Sequence, residues 1–326
     1  MPTMTMLEAI RDALSVEMAA DDRVVLLGQD IGKFGGIFRA TDGLLAKFGE
    51  QRVIDMPLAE AAIIGSALGL ALSGLRPVAE IQFLGFAQQA FHQIVSQVAR
   101  MRYRSRGRFA ASMVIRAPFG GGVRTPELHS DAIESQFAQA QGLKVIAPSN
   151  AYDAKGMLLS AIRDPDPVLF CEPLRGYRSV KGEVPSADYV IEIGKVNVVR
   201  EGRDVVLIAW SAAVDIAMRA AQALSSEGID ASVVDVRSLV PLDVRGLVDA
   251  VERTGHCVIV HEAPLTGGFG AEIAATISQQ AFHALKRPIE RVAGPDVPYP
   301  LAASEQMFIP TVERVVAVTR KMLEAQ

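Results

Sequence analysis

Apolar residues recur along this chain in two alternating rhythms, and the alternation predicts its architecture. Met6 to Ala20 places leucine, isoleucine, alanine and methionine at helical spacing, and VVLLG (24–28) follows as a short run apolar on both faces, which predicts a buried strand ending at a glycine. The same rhythm repeats as a helix after Glu60, a strand over PVAEIQF (77–83), a long helix from Gln88 to Tyr103, a strand over ASMVIRA (111–117), a helix after Asn150 and a strand over PVLFCEP (167–173). Periodicity then lapses in GYRSVKGEVPSADY (176–189), which reads as a linker. A second alternation follows in KVNVVREG (195–202), DVVLIAW (204–210), a helix after Ser211, ASVVDVRSL (231–239), a helix over Val244 to Arg253, CVIVHEA (257–263) and a helix over Gly270 to Ala284. Strands apolar on both faces and separated by helices predict mostly parallel sheets flanked by helices. The expected fold is therefore α/β in two domains, 1–180 and 201–326, joined by a linker over 181–200. A chain of 326 residues exceeds the size at which a single core usually suffices.

Composition narrows the function classes. The formal charge of −4, from 33 basic and 37 acidic residues mixed along the sequence, offers no basic stripe for a phosphate backbone, so nucleic acid is not an expected partner. Cys171 and Cys257 sit in apolar strand-like runs without a CxxC or Cys/His cluster, which suggests neither a disulfide framework nor zinc and fits a reducing, cytoplasmic setting. The N-terminus is acidic and helically periodic rather than a basic segment before an apolar core, so no signal peptide is expected. Glu60, Arg76 and Glu80 interrupt the longest apolar stretch, and no membrane span is expected.

The chemistry begins with a charge in an apolar place. Glu60 heads a helix whose next residues, Ala61, Ala62, Gly65, Ser66, Ala67 and Gly69, are small enough for close packing, and Pro57 sets an extended approach into it. In the first turn the helix dipole favours a carboxylate, so Glu60 either caps the helix or has a chemical task. His129 follows the polar, glycine-rich segment FGGGVRTPELHSD (119–131), a loop of the kind that carries function, and an imidazole can donate or accept a proton close to neutral pH. The glycines at 120–122 lack the following helix and Lys-Ser/Thr of a phosphate loop. His92, His256, His261 and His283 read as helix or strand-end positions without a chemical role.

The motifs GQDIGKFGGIFRAT (28–41), DMPLAEAAIIG (55–65), RPVAEIQFLGF (76–86), RAPFGGGVRTPELHSD (116–131), GLKVIAPSNAYDAKG (142–156) and AIRDPDPV (161–168) stand in a characteristic order and spacing. Together with VVDVRSLVPLD (233–243), HEAPLTGGFGAE (261–272) and RVAGPDVPYP (291–300), they cover nearly the whole chain. In these the sequence resembles the β subunits of the thiamine-diphosphate-dependent 2-oxo acid dehydrogenases, the decarboxylating component of the pyruvate and branched-chain complexes. The resemblance implies a transketolase-like pyrimidine-binding domain followed by a transketolase C-terminal-like domain. It implies that Glu60 hydrogen-bonds the aminopyrimidine ring of thiamine diphosphate and that Phe86 forms a flat wall for that ring. Leu58 through its backbone and Gln82 through its amide would line the same pocket, although Gln82 reads equally as a satisfied strand residue. His129 would face the reacting carbon and assist acyl transfer to a lipoyl group. A structural potassium ion would be held by Val114, Ala161, Ile162, Asp164 and Asp166, a segment that otherwise reads as a helix end and a proline-punctuated turn.

The chain departs from that pattern in three places. Asp166 stands where the family often has asparagine, and Gln29 where it commonly has glutamate. A GDG segment followed by paired asparagines, which anchors magnesium and diphosphate in thiamine enzymes, is absent. The expected remedy is an α subunit that holds magnesium, in an α2β2 heterotetramer. The resemblance further implies the dihydrolipoyl acyltransferase core and its lipoyl domain as partners, with docking near Asp296 and Gln326. Pyruvate, a branched-chain 2-oxo acid and acetoin remain open as substrates. The alternative from another class is a non-catalytic assembly and docking subunit.

Overall fold

In the computed structural model, which describes residues 1–324, fourteen strands form three sheets. In chain order they are β1 (Thr3–Thr5), β2 (Val24–Gln29), β3 (Val53–Met56), β4 (Arg76–Glu80), β5 (Val114–Phe119), β6 (Lys144–Ile146), β7 (Val168–Pro173) and β8 (Lys181–Glu183). They continue as β9 (Asn197–Arg200), β10 (Val205–Ala209), β11 (Ala231–Asp235), β12 (Ser238–Val240), β13 (Cys257–Pro264) and β14 (Glu290–Gly294). The larger sheet has the order β12-β6-β7-β5-β4-β2-β3 and the smaller β14-β13-β10-β11-β9. Both are parallel except at one edge each, where β12 runs against β6 and β9 against β11.

Burial on both faces explains the unbroken apolar strands. One face of the larger sheet packs the helices Met6–Ala20 and Ala151–Arg163 over Val24, Leu26, Val78 and Phe170. The first of these helices is started by a capping box in which Thr5 and Glu8 satisfy each other's backbone N–H groups. The other face is covered by the C-terminal half: Leu27, Ile115 and Leu169 share one buried cluster with Ile208, Val234 and Ile259. The two halves are thus joined by apolar core, and β12 lies in the first sheet although its sequence belongs to the second half.

Several elements differ from the sequence expectation. The region expected as one helix over Gln88 to Tyr103 is a 3-10 segment (Leu84–Ala90), a π segment (His92–Val98) and a short α-helix (Met101–Arg104). The tight winding lets the backbone at Gly85 meet the loop after β5: a Cβ at Gly85 would lie 2.2 Å from the Leu128 carbonyl oxygen. Residues 181–200, expected as a linker, supply β8, which pairs with β1, and β9, the edge of the smaller sheet. Strands of three or four residues, such as β8, β6 and β3, are too short to show a period in sequence. The helix Val312–Glu324 packs on the smaller sheet's core through Val315, Val316 and Met322.

Candidate functional site

Strands β5, β4, β2 and β3 are adjacent and parallel, so the segments that follow them emerge on one edge. Chain order reverses direction between β2 and β4, which opens a crevice at their carboxyl ends, the usual ligand position of an open parallel sheet. Every residue predicted for the cofactor pocket stands here. Leu58 and Glu60 follow β3, Gln82 and Phe86 follow β4, and His129 lies on the loop after β5.

Glu60 is the first residue of the helix Glu60–Leu72, and it is half-buried. The N-cap is Ala59, which makes no side-chain cap bond, and the Glu60 carboxylate has no hydrogen bond or ion pair among the described residues. Leu58 is 71% exposed, two residues before Glu60. Gln82 donates to Asp30 Oδ2 at 3.3 Å across the β2–β4 crevice, and Asp30 itself holds a left-handed φ of 59°. Beside it, Asp55 accepts from the backbone N–H groups of Gly32 at 2.6 Å and Lys33 at 3.1 Å, which pins the loop after β2.

His129 closes a 3-10 turn, its N–H donating to the Pro126 carbonyl at 3.0 Å. Its ring packs edge-on against Phe83 at 4.5 Å and Phe86 at 4.9 Å between centroids. Its Nδ1 is buried and has no hydrogen-bond partner. A buried nitrogen without a partner costs free energy unless a further group satisfies it. The structure therefore brings Phe86 and His129 into contact, and sets Glu60 on a neighbouring helix that packs against the Leu84–Ala90 segment.

The residues assigned to potassium lie at the opposite ends of the strands: Asp164 and Asp166 in the turn that enters β7, Ala161 and Ile162 in the last turn of the helix before it, and Val114 at the start of β5. Several of their oxygens accept hydrogen bonds within the chain. Asp164 Oδ2 accepts from Lys144 Nζ at 2.5 Å, its Oδ1 from the Asp166 N–H at 2.9 Å, and Asp166 Oδ1 from Arg102 Nε at 2.6 Å. The Ile162 carbonyl accepts from Arg76 Nη1 at 2.7 Å and that of Ala161 from the Asp164 N–H at 3.3 Å, while Val114 is held inside the sheet between Val78 and Val168. Three protein cations, Lys144, Arg102 and Arg76, donate to this oxygen set. The aspartates were recognisable in sequence, but Arg76, Lys144 and Arg102 are distant along the chain and only folding brings them in.

Two buried polar groupings escaped the sequence reading. Arg116 on β5 is fully enclosed, makes two 2.8 Å bonds to Glu172 on β7 and also pairs with Glu80 on β4, and Tyr177 donates to Glu172. Burial opposes the Arg116 cation, but the Glu172 and Glu80 carboxylates outweigh it and raise its pKa; burial raises that of Glu80. The signal was available, because charged residues centred in apolar strands must find one another. The second grouping is Glu134, Trp210 and His261, in the interior between the two sheets. Trp210 Nε1 donates to Glu134 Oε1 at 3.1 Å, and its ring stacks on His261 at 5.1 Å. Burial pushes the Glu134 carboxyl up to about 7 and His261 down to about 4. His261, read in sequence as an ordinary strand-end residue, is wholly buried with neither ring nitrogen bonded.

The fold and this crevice define a class. Residues 2–179 match the transketolase pyrimidine-binding domain and residues 194–315 the transketolase C-terminal domain. Among solved structures, a split gene transketolase described as an inactive beta4 tetramer superposes with a TM-score of 0.81 at 28% identity, covering 98% of both chains. A transketolase from Leishmania mexicana gives a TM-score of 0.67 at 19% identity over 99% of this chain and 46% of that one, a likeness of fold alone. Within that class, curated relatives include the pyruvate dehydrogenase E1 component subunit beta of Bacillus subtilis, 48% identical over 99% of this chain and all of that one, and that of Staphylococcus aureus, 47% identical over the same shares. The chain belongs to the family of pyruvate dehydrogenase E1 component β subunits, enzymes of the 2-oxo acid dehydrogenase type.

Proposed function

We propose that this chain is the β subunit of a 2-oxo acid dehydrogenase that decarboxylates pyruvate with thiamine diphosphate and passes the acyl group to a lipoyl domain. The observation that carries the reading is a pair of unsatisfied groups at one sheet edge: the partnerless Glu60 carboxylate and the buried, unbonded His129 Nδ1 on its phenylalanine wall. Both fit what the cofactor's pyrimidine end and the reacting carbon require. When bound, thiamine diphosphate supplies a nucleophilic carbon and an electron sink for loss of carbon dioxide. Glu60 would hold a ring nitrogen of the pyrimidine by a carboxylate hydrogen bond and so set its protonation. Phe86 excludes water from one face of that ring, and the Leu58 backbone and Gln82 amide orient its rim. His129 would carry a proton on Nδ1 to the sulfur that leaves the lipoyl disulfide.

An α subunit is the proposed source of the groups for magnesium and diphosphate, because GDG and paired asparagines are absent from the sequence and the described residues contain no cluster of metal-ligating side chains. The site edge offers a surface for it. Phe34, Ile37, Leu58 and Leu128, on loops after β2, β3 and β5, are each at least half exposed. Beside Glu60, Ala62, Gly65, Ser66 and Gly69 form an open helix face where a Cβ at either glycine would meet nothing. The related split gene transketolase is described as an inactive beta4 tetramer, which agrees with a site completed by a different chain. The acyltransferase core would dock at Asp296, whose carboxylate is oriented by the Thr266 hydroxyl at 2.7 Å and N–H at 2.8 Å, bonds that also hold its pKa below the ordinary value. Gln326, the other expected docking position, lies outside the described residues.

The test is single-turnover decarboxylation by the chain reconstituted with its α partner, using pyruvate, 3-methyl-2-oxobutanoate and acetoin in turn. Pyruvate should be preferred. Glu60→Gln should fold and assemble yet lose about 100-fold in rate, in the range attributed to a positioned acid–base group. A wild-type rate in that variant would remove Glu60 from the chemistry, and preference for either other substrate would move the chain to another branch of the family.

A further inference from the structure

The glycine loop that carries His129 is held from the other half of the molecule. Glu262 on β13 and Glu305 in the short helix Glu305–Phe308 are 7% and 2% exposed. Glu305 Oε1 accepts from the Gly122 N–H at 2.6 Å, and both of its oxygens accept from the Arg124 N–H at 3.3 Å. Glu262 accepts from the Gly121 N–H and lies 3.7 Å from Arg175 Nη2. Tyr299 donates to Glu305 Oε1 at 3.2 Å. Successive backbone N–H groups in a turn form a concave anion site, and here the protein's own carboxylates fill it. This accounts for the glycines: Gly120 and Gly122 adopt φ of 80° and 93°, and a Cβ at Gly121 would lie 1.5 Å from the Tyr299 hydroxyl. The far end of the loop is fixed by the Leu128 carbonyl against Gly85 and by His129 against Phe83 and Phe86.

We infer that Glu305 and Glu262 are positioning residues, which clamp residues 121–124 to the C-terminal half and thereby fix where the His129 ring stands in the crevice. The inference rests on the proton-transfer role proposed for His129. Neither glutamate touches the site itself. Their bonds go only to the loop's backbone and to Arg175 and Tyr299, so their effect on chemistry passes through loop geometry. A carboxylate is suited to this because it accepts several N–H groups at once, whereas a neutral amide offers a single acceptor oxygen.

The experiment uses the α-reconstituted complex with Glu305→Ala, Glu305→Gln, Glu262→Gln and His129→Ala, alone and with Glu305→Ala and His129→Ala combined. Three quantities are followed: acylation of a free lipoyl domain, decarboxylation with an artificial electron acceptor, and the rate of tryptic cleavage after Arg124. Glu305→Ala should cut at Arg124 faster and slow lipoyl acylation about tenfold through kcat, with KM for the 2-oxo acid within about twofold, a split expected when only a transition-state interaction is lost. Glu305→Gln and Glu262→Gln should fall between wild type and Glu305→Ala in both readouts and keep the fold if the alanine variant does not. In the His129→Ala background, Glu305→Ala should add nothing to the acylation defect, because residues acting as one unit are non-additive. If His129→Ala slows acylation while the Glu305 and Glu262 variants do not, or if the two defects multiply, the clamp does not act through His129. If His129→Ala leaves acylation unchanged, the role proposed for His129 falls and the positioning role with it.

Discussion

Replacing Glu134 by glutamine should change how stability depends on pH, and the size of the change follows from where the carboxyl sits. Glu134 is fully buried, bonded to Trp210 through one oxygen and unpartnered at the other. Burial raises its pKa from 4.5 to about 7, with the Glu262 charge adding to the rise and the Trp210 bond opposing it. A raised carboxyl pKa means that the folded chain holds the proton more tightly than the unfolded one. Its contribution is therefore complete below about 4.5 and is lost as pH climbs through 7. At about 1.4 kcal/mol per pH unit, the shift corresponds to about 3 kcal/mol between the two limits. Glutamine keeps the shape and the acceptor for Trp210 but does not titrate. The variant should be within about 1 kcal/mol of wild type at pH 5 and more stable by about 3 kcal/mol at pH 8. His261, held down to about 4 by burial, acts in the opposite sense, losing stability as pH falls below the unfolded histidine value, but it is common to both proteins and cancels. Urea unfolding from pH 5 to 8 measures the difference, and Trp210, the single tryptophan, reports it by fluorescence at the site itself. The folded wild type should also show an emission change centred near pH 7 that the variant lacks. A stability difference that does not vary with pH would show that Glu134 is not a buried neutral acid.

Three further outcomes are expected. Calorimetry with magnesium and the isolated chain should find thiamine diphosphate binding weaker than about 100 μM; micromolar affinity without an α subunit would contradict a shared site. Melting temperatures in potassium, sodium and choline chloride at equal ionic strength should agree within about 1 °C, since Lys144, Arg102 and Arg76 donate to three of the oxygens expected to hold potassium; a rise of several degrees specific to potassium would show that the ion binds. Asp296→Ala should weaken binding of the acyltransferase core's subunit-binding domain by about tenfold in surface plasmon resonance, with decarboxylation unchanged, as expected for an interfacial charge; unaltered affinity would take Asp296 out of the interface.

The sequence by itself determined the layering and pointed to the edge at which the candidate site stands. Strands such as Val24–Gln29 and Val205–Ala209, apolar on both faces, can only be central parallel strands covered by helices, and the helix headed by Glu60 is visible because a carboxylate opens an otherwise apolar, small-residue run. The residues expected at the cofactor came from the resemblance of their motifs, and each lies on a segment that follows a strand of the larger sheet, so local order along the chain places them on one edge. Only the tertiary structure decided what depends on residues far apart in sequence. The ring of Arg76, Arg102 and Lys144 around the Asp164 turn, the clamp of Glu262 and Glu305 on Gly121 to Arg124, and the edge pairing of Ser238–Val240 with Lys144–Ile146 join segments that share no local pattern. Periodicity reports which face of an element is buried, but not which distant group meets it there. The broken winding of Leu84 to Val98 shows the same limit: its composition suits a continuous helix, and the close approach of Leu128 to Gly85 across the crevice favours another path.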